Sequence, residues 1–173
     1  DFLSRAIASD EEQTMAIYLF IDGIKGDVVE DSHKDWINCD SMTWGIGRMI
    51  NTPVGTEAER ESSVPTVQDV VMTTQMDKAT PEIVKAAATG TGKEAKIHLM
   101  QTGKDTPECY MEYILSNTLI SDYSVSVAAD GRPSESFALN FTKIEMKYTM
   151  FDKDNNVSGN VPASYDLTTG QPG

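Results

Sequence analysis

Alternation of apolar and polar positions dominates this chain. AIYLFI (16–21) is rich in β-forming side chains and runs into DGIKGD, whose Gly23 and Gly26 predict a turn followed by a short second strand. WINCDSMTWGIG (36–47) and TVQDVVMTTQMD (66–77) are strand-like as well. In AKIHLMQTG (95–103), Ala95, Ile97 and Leu99 point one way and Lys96, His98 and Met100 the other. CYMEYILSNTLI (109–120) puts Cys109, Met111, Tyr113 and Leu115 on one face, and DYSVSVA continues the pattern with Tyr123, Val125 and Val127. FALNFTKIEMKYTMF (137–151) is the longest candidate strand. Its apolar parity changes from Phe137, Leu139 and Phe141 to Ile144, Met146, Tyr148 and Met150, which predicts a β-bulge near Thr142–Lys143.

One segment has helical signals. In TPEIVKAAATG (80–90), Thr80 suits an N-cap, Pro81 the first helical position and Glu82 the positive end, while Gly90 can close the helix. Ile83, Val84 and Ala87 are expected to share its apolar face. Residues 48–64 have no clean period and contain Pro53 and Gly55, so they read as a long loop or extended arm. The tail from Asp152 is polar and turn-rich. About eight strands, one short helix and no internal repeat point to an all-β sandwich or barrel.

Charge and length narrow the functional classes. The 173 residues suit a single domain with a real core, and a net charge of -13 disfavours phosphate backbones and anionic membranes. No apolar run approaches the roughly 20 residues of a spanning helix. DFLSRAIASDEEQT (1–14) precedes Met15, is acidic and lacks the apolar stretch of a signal peptide. It reads as an appended leader, with native translation starting at Met15 and one domain over 15–173. The leader's four acids and one arginine account for -3 of the charge, leaving -10. Two cysteines, Cys39 and Cys109, fit buried thiols in a reducing compartment better than a disulfide scaffold.

Chemical motifs are weak. DSHKDWINCDSMTWGIG (31–47) gathers His33, Cys39 and both tryptophans. If extended, it would separate His33 from Cys39 by roughly 20 Å, far beyond hydrogen-bond reach. Cys39 is then a packing residue and His33 a solvated turn residue. DKDNNVSGN (152–160) imitates the start of a calcium loop, but Val157 stands where glycine is needed and Ala163 where a bidentate glutamate belongs. GTGK (90–93) follows a helix, whereas a phosphate loop precedes one. No catalytic, cofactor or metal-binding residues are expected.

Read in order, IDGIKGD (21–27), HKDWINCDSMTWG (33–45), DKATPEIVKAAATG (77–90), AKIHLMQTG (95–103), YMEYILSNTLISDYSVS (110–126) and FALNFTKIEMKYTMFD (137–152) resemble the haemolysin-coregulated protein (Hcp) family, the tube subunits of bacterial type VI secretion systems. The resemblance covers about residues 16–152 and implies two packed antiparallel sheets forming a β-barrel, with the helix against one side. It implies six-membered rings that stack into a hollow tube within a sheath, with small effectors in the lumen and sheath and spike proteins as partners. It implies release from the bacterial cytoplasm through that system, with no nucleic acid and no membrane insertion. Closed symmetry would cover exposed strand edges with the edges of neighbouring subunits. The 48–64 loop would reach a neighbouring subunit or ring through Arg48, Asn51, Thr52, Glu57, Glu59, Arg60 and Glu61. It is more acidic here than the glycine- or histidine-rich loop of many relatives. The expected core comprises Trp36, Trp44, Ile83, Ile97, Leu99, Tyr113, Leu139, Phe141, Met146 and Tyr148. Two other readings compete: a monomeric β-sandwich adaptor, and a thiol hydrolase using Cys39 or Cys109.

Overall fold

The structure, a computed structural model, describes residues 15–52, 54, 55, 61–103 and 106–173. The leader expected at 1–14 lies outside them. Strands run as β1 (Ala16–Ile21), β2 (Ile37–Thr43), β3 (Ile46–Gly47), β4 (Ile50–Asn51), β5 (Glu61–Ser62), β6 (Thr66–Val67) and β7 (Val70–Gln75). The helix α1 (Thr80–Thr89) follows, then β8 (Lys93–Thr102), β9 (Pro107–Ser126), β10 (Ser134–Asn140), β11 (Lys143–Phe151), β12 (Val157–Asp166) and β13 (Gln171–Pro172).

Among the described residues every strand pairing is antiparallel. One sheet takes the order β10, β7, β2, β1, β8, β9, β11, β12, β13, and β10 also pairs with β9. That second pairing closes a circuit of six strands. The two layers anticipated from the sequence are therefore opposing walls of one continuous sheet wrapped on itself. β9 makes the closure possible because it is 20 residues long. Its first part lies beside β8 from Pro107 to Thr118, and its second beside β10 from Leu119 to Ser126. β11 shares the β10 side of β9 but covers only Met111 to Ser116. Beyond the circuit, β11, β12 and β13 form a three-strand extension.

The parity change at 137–151 has a different cause from the predicted bulge. The segment is two strands, broken at Phe141–Thr142, with Asn140 opposite Leu119 and Lys143 opposite Ser116. Equal numbers of residues bridge the two chains there, and Asn117 takes a positive φ of 50°. The irregularity in this pairing lies between Ala138 and Leu139 instead, opposite Ser121. The short strand expected after β1 is reduced to a single bridge between Ile21 and Ile24. The polar tail, read as turns, contains the ten-residue β12.

Alternation carries Leu19, Ile37, Met72, Ile97, Leu115, Phe137 and Leu139 into the barrel, all with no exposed surface. Each such side chain contributes about 1.5–3 kcal/mol of burial. Ile83 of α1 joins them, and Ala86 and Ala87 pack beside it. Val84, expected on that face, is exposed. The helix starts with Thr80 as its first residue, after Ala79 as N-cap. Thr80 is thus not the cap. Its hydroxyl accepts from the Asp77 amide, while the Asp77 carboxylate accepts from the Ala79 amide at 2.8 Å. Among the described residues no helix is long and apolar enough to cross a membrane.

A buried carboxylate ties helix to barrel. Glu135 of β10 is 1% exposed and accepts from Thr74 Oγ1 at 2.9 Å, Thr80 Oγ1 at 3.0 Å and Tyr123 Oη at 3.0 Å. Burial raises the Tyr123 phenol, and its bond to Glu135 raises it further.

Candidate functional site: surfaces for assembly

The core-facing side of the sheet continues past the barrel along the extension. Ile144 is buried opposite Leu115, but further along the same face Tyr148 lies opposite Val161 and Met150 opposite Gly159. The described residues leave much of this end open: Tyr148 is 47% exposed, Met150 40% and Val161 55%. A side chain at Gly159 would meet Met150 Cε at 2.8 Å, so glycine there lets Met150 lie flat across the strip. The strip adjoins an open edge. β12 pairs with β13 only at Tyr165 and Asp166, with Ser164 bonded to Gly173, so among the described residues 157–163 have no strand on their outer side. Tyr148 and Met150 were read as core or core-facing from periodicity. The alternation was right, but the sheet outlasts the core that would cover it.

The turn between β11 and β12 is the calcium-loop imitation. Asp152 Oδ1 accepts from the amides of Asp154 at 2.8 Å and Asn156 at 2.9 Å, which holds its carboxyl below the usual range. The carboxylate is committed to the turn.

The 48–64 segment is an arm with its own ladders, which its aperiodic sequence did not signal. β3 pairs with β6 and, further out, β4 with β5 through Ile50↔Ser62 and Asn51↔Glu61. Arg48, Asn51 and Thr52 are exposed on it, as are Ile46, Met49, Ile50, Val54 and Val64. Glu57, Glu59 and Arg60 lie outside the described residues. At the base of the arm Trp44 is half-buried, its ring 6.3 Å from that of Tyr113, and Trp44 Nε1 is buried without a hydrogen-bond partner. Leu99, Tyr113 and Met146 are likewise half-buried, whereas Ile83, Ile97, Leu139 and Phe141 are buried.

Trp36 does not enter the core. It stands on the outer wall with Phe20, and its ring lies 4.7 Å from His33 and 4.6 Å from His98. His33 is also not the solvated turn residue that was expected. It ends a 3-10 turn, Asp31–His33, and is 4% exposed. Its Nδ1 is 2.6 Å from Glu30 Oε2, and its Nε2 is 2.7 Å from His98 Nδ1. His98 Nε2 is 2.6 Å from Glu112 Oε2, whose other oxygen is 3.4 Å from Lys147 Nζ. Opposite-parity placement of His98 was visible in the sequence. Its meeting with His33, 65 residues away, was not.

The thiols are placed for packing. Cys39 is buried in the core, with its sulfur 3.7 Å from the Ile37 carbonyl oxygen. Burial pushes its thiol far above the ordinary value, and nearby Asp40 adds to this. Cys109 is half-buried and pushed up to about 11, first by burial and then by Glu112. A nucleophilic cysteine needs the opposite shift.

Comparison with known proteins agrees with this non-catalytic arrangement. Residues 18–148 match the family described as "Type VI secretion system effector, Hcp". The chain is 27% identical over 140 residues to "Protein hcp1" of Pseudomonas aeruginosa, covering 78% of this chain and 84% of that one. A structure described as that of a type six secretion system protein superposes with a TM-score of 0.86 at 22% identity, over 92% of this chain and all of the other. Hcp1 from Salmonella typhimurium gives a TM-score of 0.74 at 24% identity, over 91% and 98% of the two chains. With the family match spanning most of the barrel, the chain belongs to the Hcp family of type VI secretion, whose members are structural tube proteins rather than enzymes.

Proposed function

We propose that residues 15–173 act as one ring-forming domain, six copies closing into a ring and rings stacking into the hollow tube of a type VI secretion system. The observation that supports this most directly is the extension β11–β13. It projects an apolar strip, Tyr148, Met150 and Val161, beyond a barrel that is already closed without it. Apolar surface held outside a complete core suits a permanent contact. A ring closes by setting this strip against a different surface of the next subunit. The arm, with exposed Met49, Ile50 and Val54 alongside Arg48, Asn51 and Thr52, reaches a neighbouring subunit or ring. Glu57, Glu59, Arg60 and Glu61 belong to the same contact. In this reading the protein leaves the bacterial cytoplasm through the secretion system, with sheath and spike proteins around it and small effectors in its lumen.

Mass photometry of the purified chain tests the ring. A species of six subunit masses is expected, and Val161→Glu should reduce it to monomer with the circular dichroism of the β-barrel unchanged. A single species near one subunit mass across micromolar concentrations would refute the proposal and favour a monomeric adaptor.

A further inference from the structure

Glu30, His33, His98 and Glu112 form three consecutive contacts of 2.6, 2.7 and 2.6 Å. Each requires one proton lying within it. Two neutral imidazoles supply two. The third does not come from the carboxyls. Burial works to raise both, but it is outweighed: hydrogen bonds from His33 and Ser32 hold Glu30 below its ordinary range, and His98 and Lys147 do the same for Glu112. The imidazoles must therefore carry three N–H protons between them. Burial holds His98 below the usual imidazole value, with Glu112 pulling the other way. The arrangement that fits has both His33 nitrogens donating, Nδ1–H to Glu30 and Nε2–H to His98 Nδ1, while His98 Nε2–H donates to Glu112.

We propose that these four side chains are a proton-counting latch: it fastens the 3-10 turn at Asp31–His33 to the barrel wall when the imidazoles hold three N–H protons, and loosens when they hold two or four. With two, one contact has no proton and two acceptors face each other. With four, two N–H groups on two cationic rings meet at a distance of 2.7 Å. The latch joins parts of the chain far apart in sequence. Glu30 and His33 lie between β1 and β2, His98 on β8 and Glu112 on β9.

The other groups facing it set the direction of its response. Tyr18 of β1 lies 4.9 Å from the His33 ring and is held above its usual value by burial and then by Glu30, so it stays neutral. Lys96 of β8 disfavours a proton on His98. Lys147 of β11 and Cys109 of β9 both lie beside Glu112, one cationic and the other a neutral thiol. With His98 depressed in the folded state, the unfolded chain binds the fourth proton more readily. The latch's stability is thus present above the unfolded imidazole value of about 6.5 and is lost as pH falls below it.

Hydrogen exchange of the full chain, read by mass spectrometry between pH 5 and 8.5, tests this. The peptide covering 22–36 is compared with one from β8, after correction for intrinsic exchange rates. Protection of 22–36 should fall on the acid side by about tenfold for each unit of the pKa difference between folded and unfolded states. His98→Gln keeps an acceptor for His33 and a donor for Glu112 but takes no fourth proton, so its acid loss should vanish. A level wild-type profile, or an unchanged acid loss in His98→Gln, would overturn the proposal. If His98→Gln does not fold, the wild-type profile alone decides. The latch does not depend on ring formation, since all four side chains belong to one subunit.

Discussion

Removing the carboxylate of Glu135 should destabilise the protein through the hydroxyls it leaves behind. In Glu135→Leu, Thr74 and Thr80, with 0% and 8% exposure, lose their acceptor within the barrel, whereas half-buried Tyr123 can turn towards water. Each orphaned buried hydroxyl costs about 1–3 kcal/mol, part of which is offset because no charge remains to be buried. The expected net loss is about 2–4 kcal/mol. A second substitution separates this mechanism from simple loss of packing. Alone, Thr74→Val withdraws one donor from a buried carboxylate and should cost about 1.5–3 kcal/mol. On the Glu135→Leu background it removes an orphan and should restore about 1–3 kcal/mol. The sign therefore reverses, giving a coupling of about 2.5–6 kcal/mol, at or above the upper end for residues sharing one network. Urea unfolding followed by fluorescence of Trp36 and Trp44, at one fixed protein concentration, measures all four variants. If the two substitutions add to within about 0.5 kcal/mol, the carboxylate is not what holds Thr74 and Thr80 in place.

Alkylation by iodoacetamide should be slow for Cys109 at pH 7 and accelerate steadily up to pH 10, while Cys39 should react only on unfolding; rapid neutral reaction at either would contradict the placements described above. Replacing residues 52–61 by a short Gly/Ser linker should leave the barrel's circular dichroism intact and abolish stacking of rings in electron micrographs. Normal tubes from that variant would reduce the arm to a solvated insertion.

Much of the fold is readable in the sequence because β-alternation reports which face of a strand is buried. β1 and α1 lie where the pattern puts them, and Ile97, Leu139 and Phe141 face inward. What alternation cannot report is whether anything covers that face. Tyr148 and Met150 keep the inward phase of Ile144, yet they stand past the end of the barrel, where no opposing wall reaches. β12 escaped notice for a related reason: Ser158, Asn160 and Ser164 make it polar enough to resemble turns, and its pairing with β11 is decided by the turn that Asp152 organises. The 137–151 segment shows a third limit. Its change of phase was visible, but a bulge and a break between strands leave the same trace, and only the partner strand β9 distinguishes them. His33 was misread because its burial depends on His98 and Trp36 closing over it from another strand and from a turn.

Closure of the barrel has a consequence for how copies can join. Before β10 reaches β9, the folding chain exposes several unpaired edges. Afterwards, among the described residues, two stretches longer than four residues stay paired on one side alone: 119–126 of β9 and 157–163 of β12. Each is short, so the folded chain gives runaway sheet growth of the amyloid kind little edge to build on.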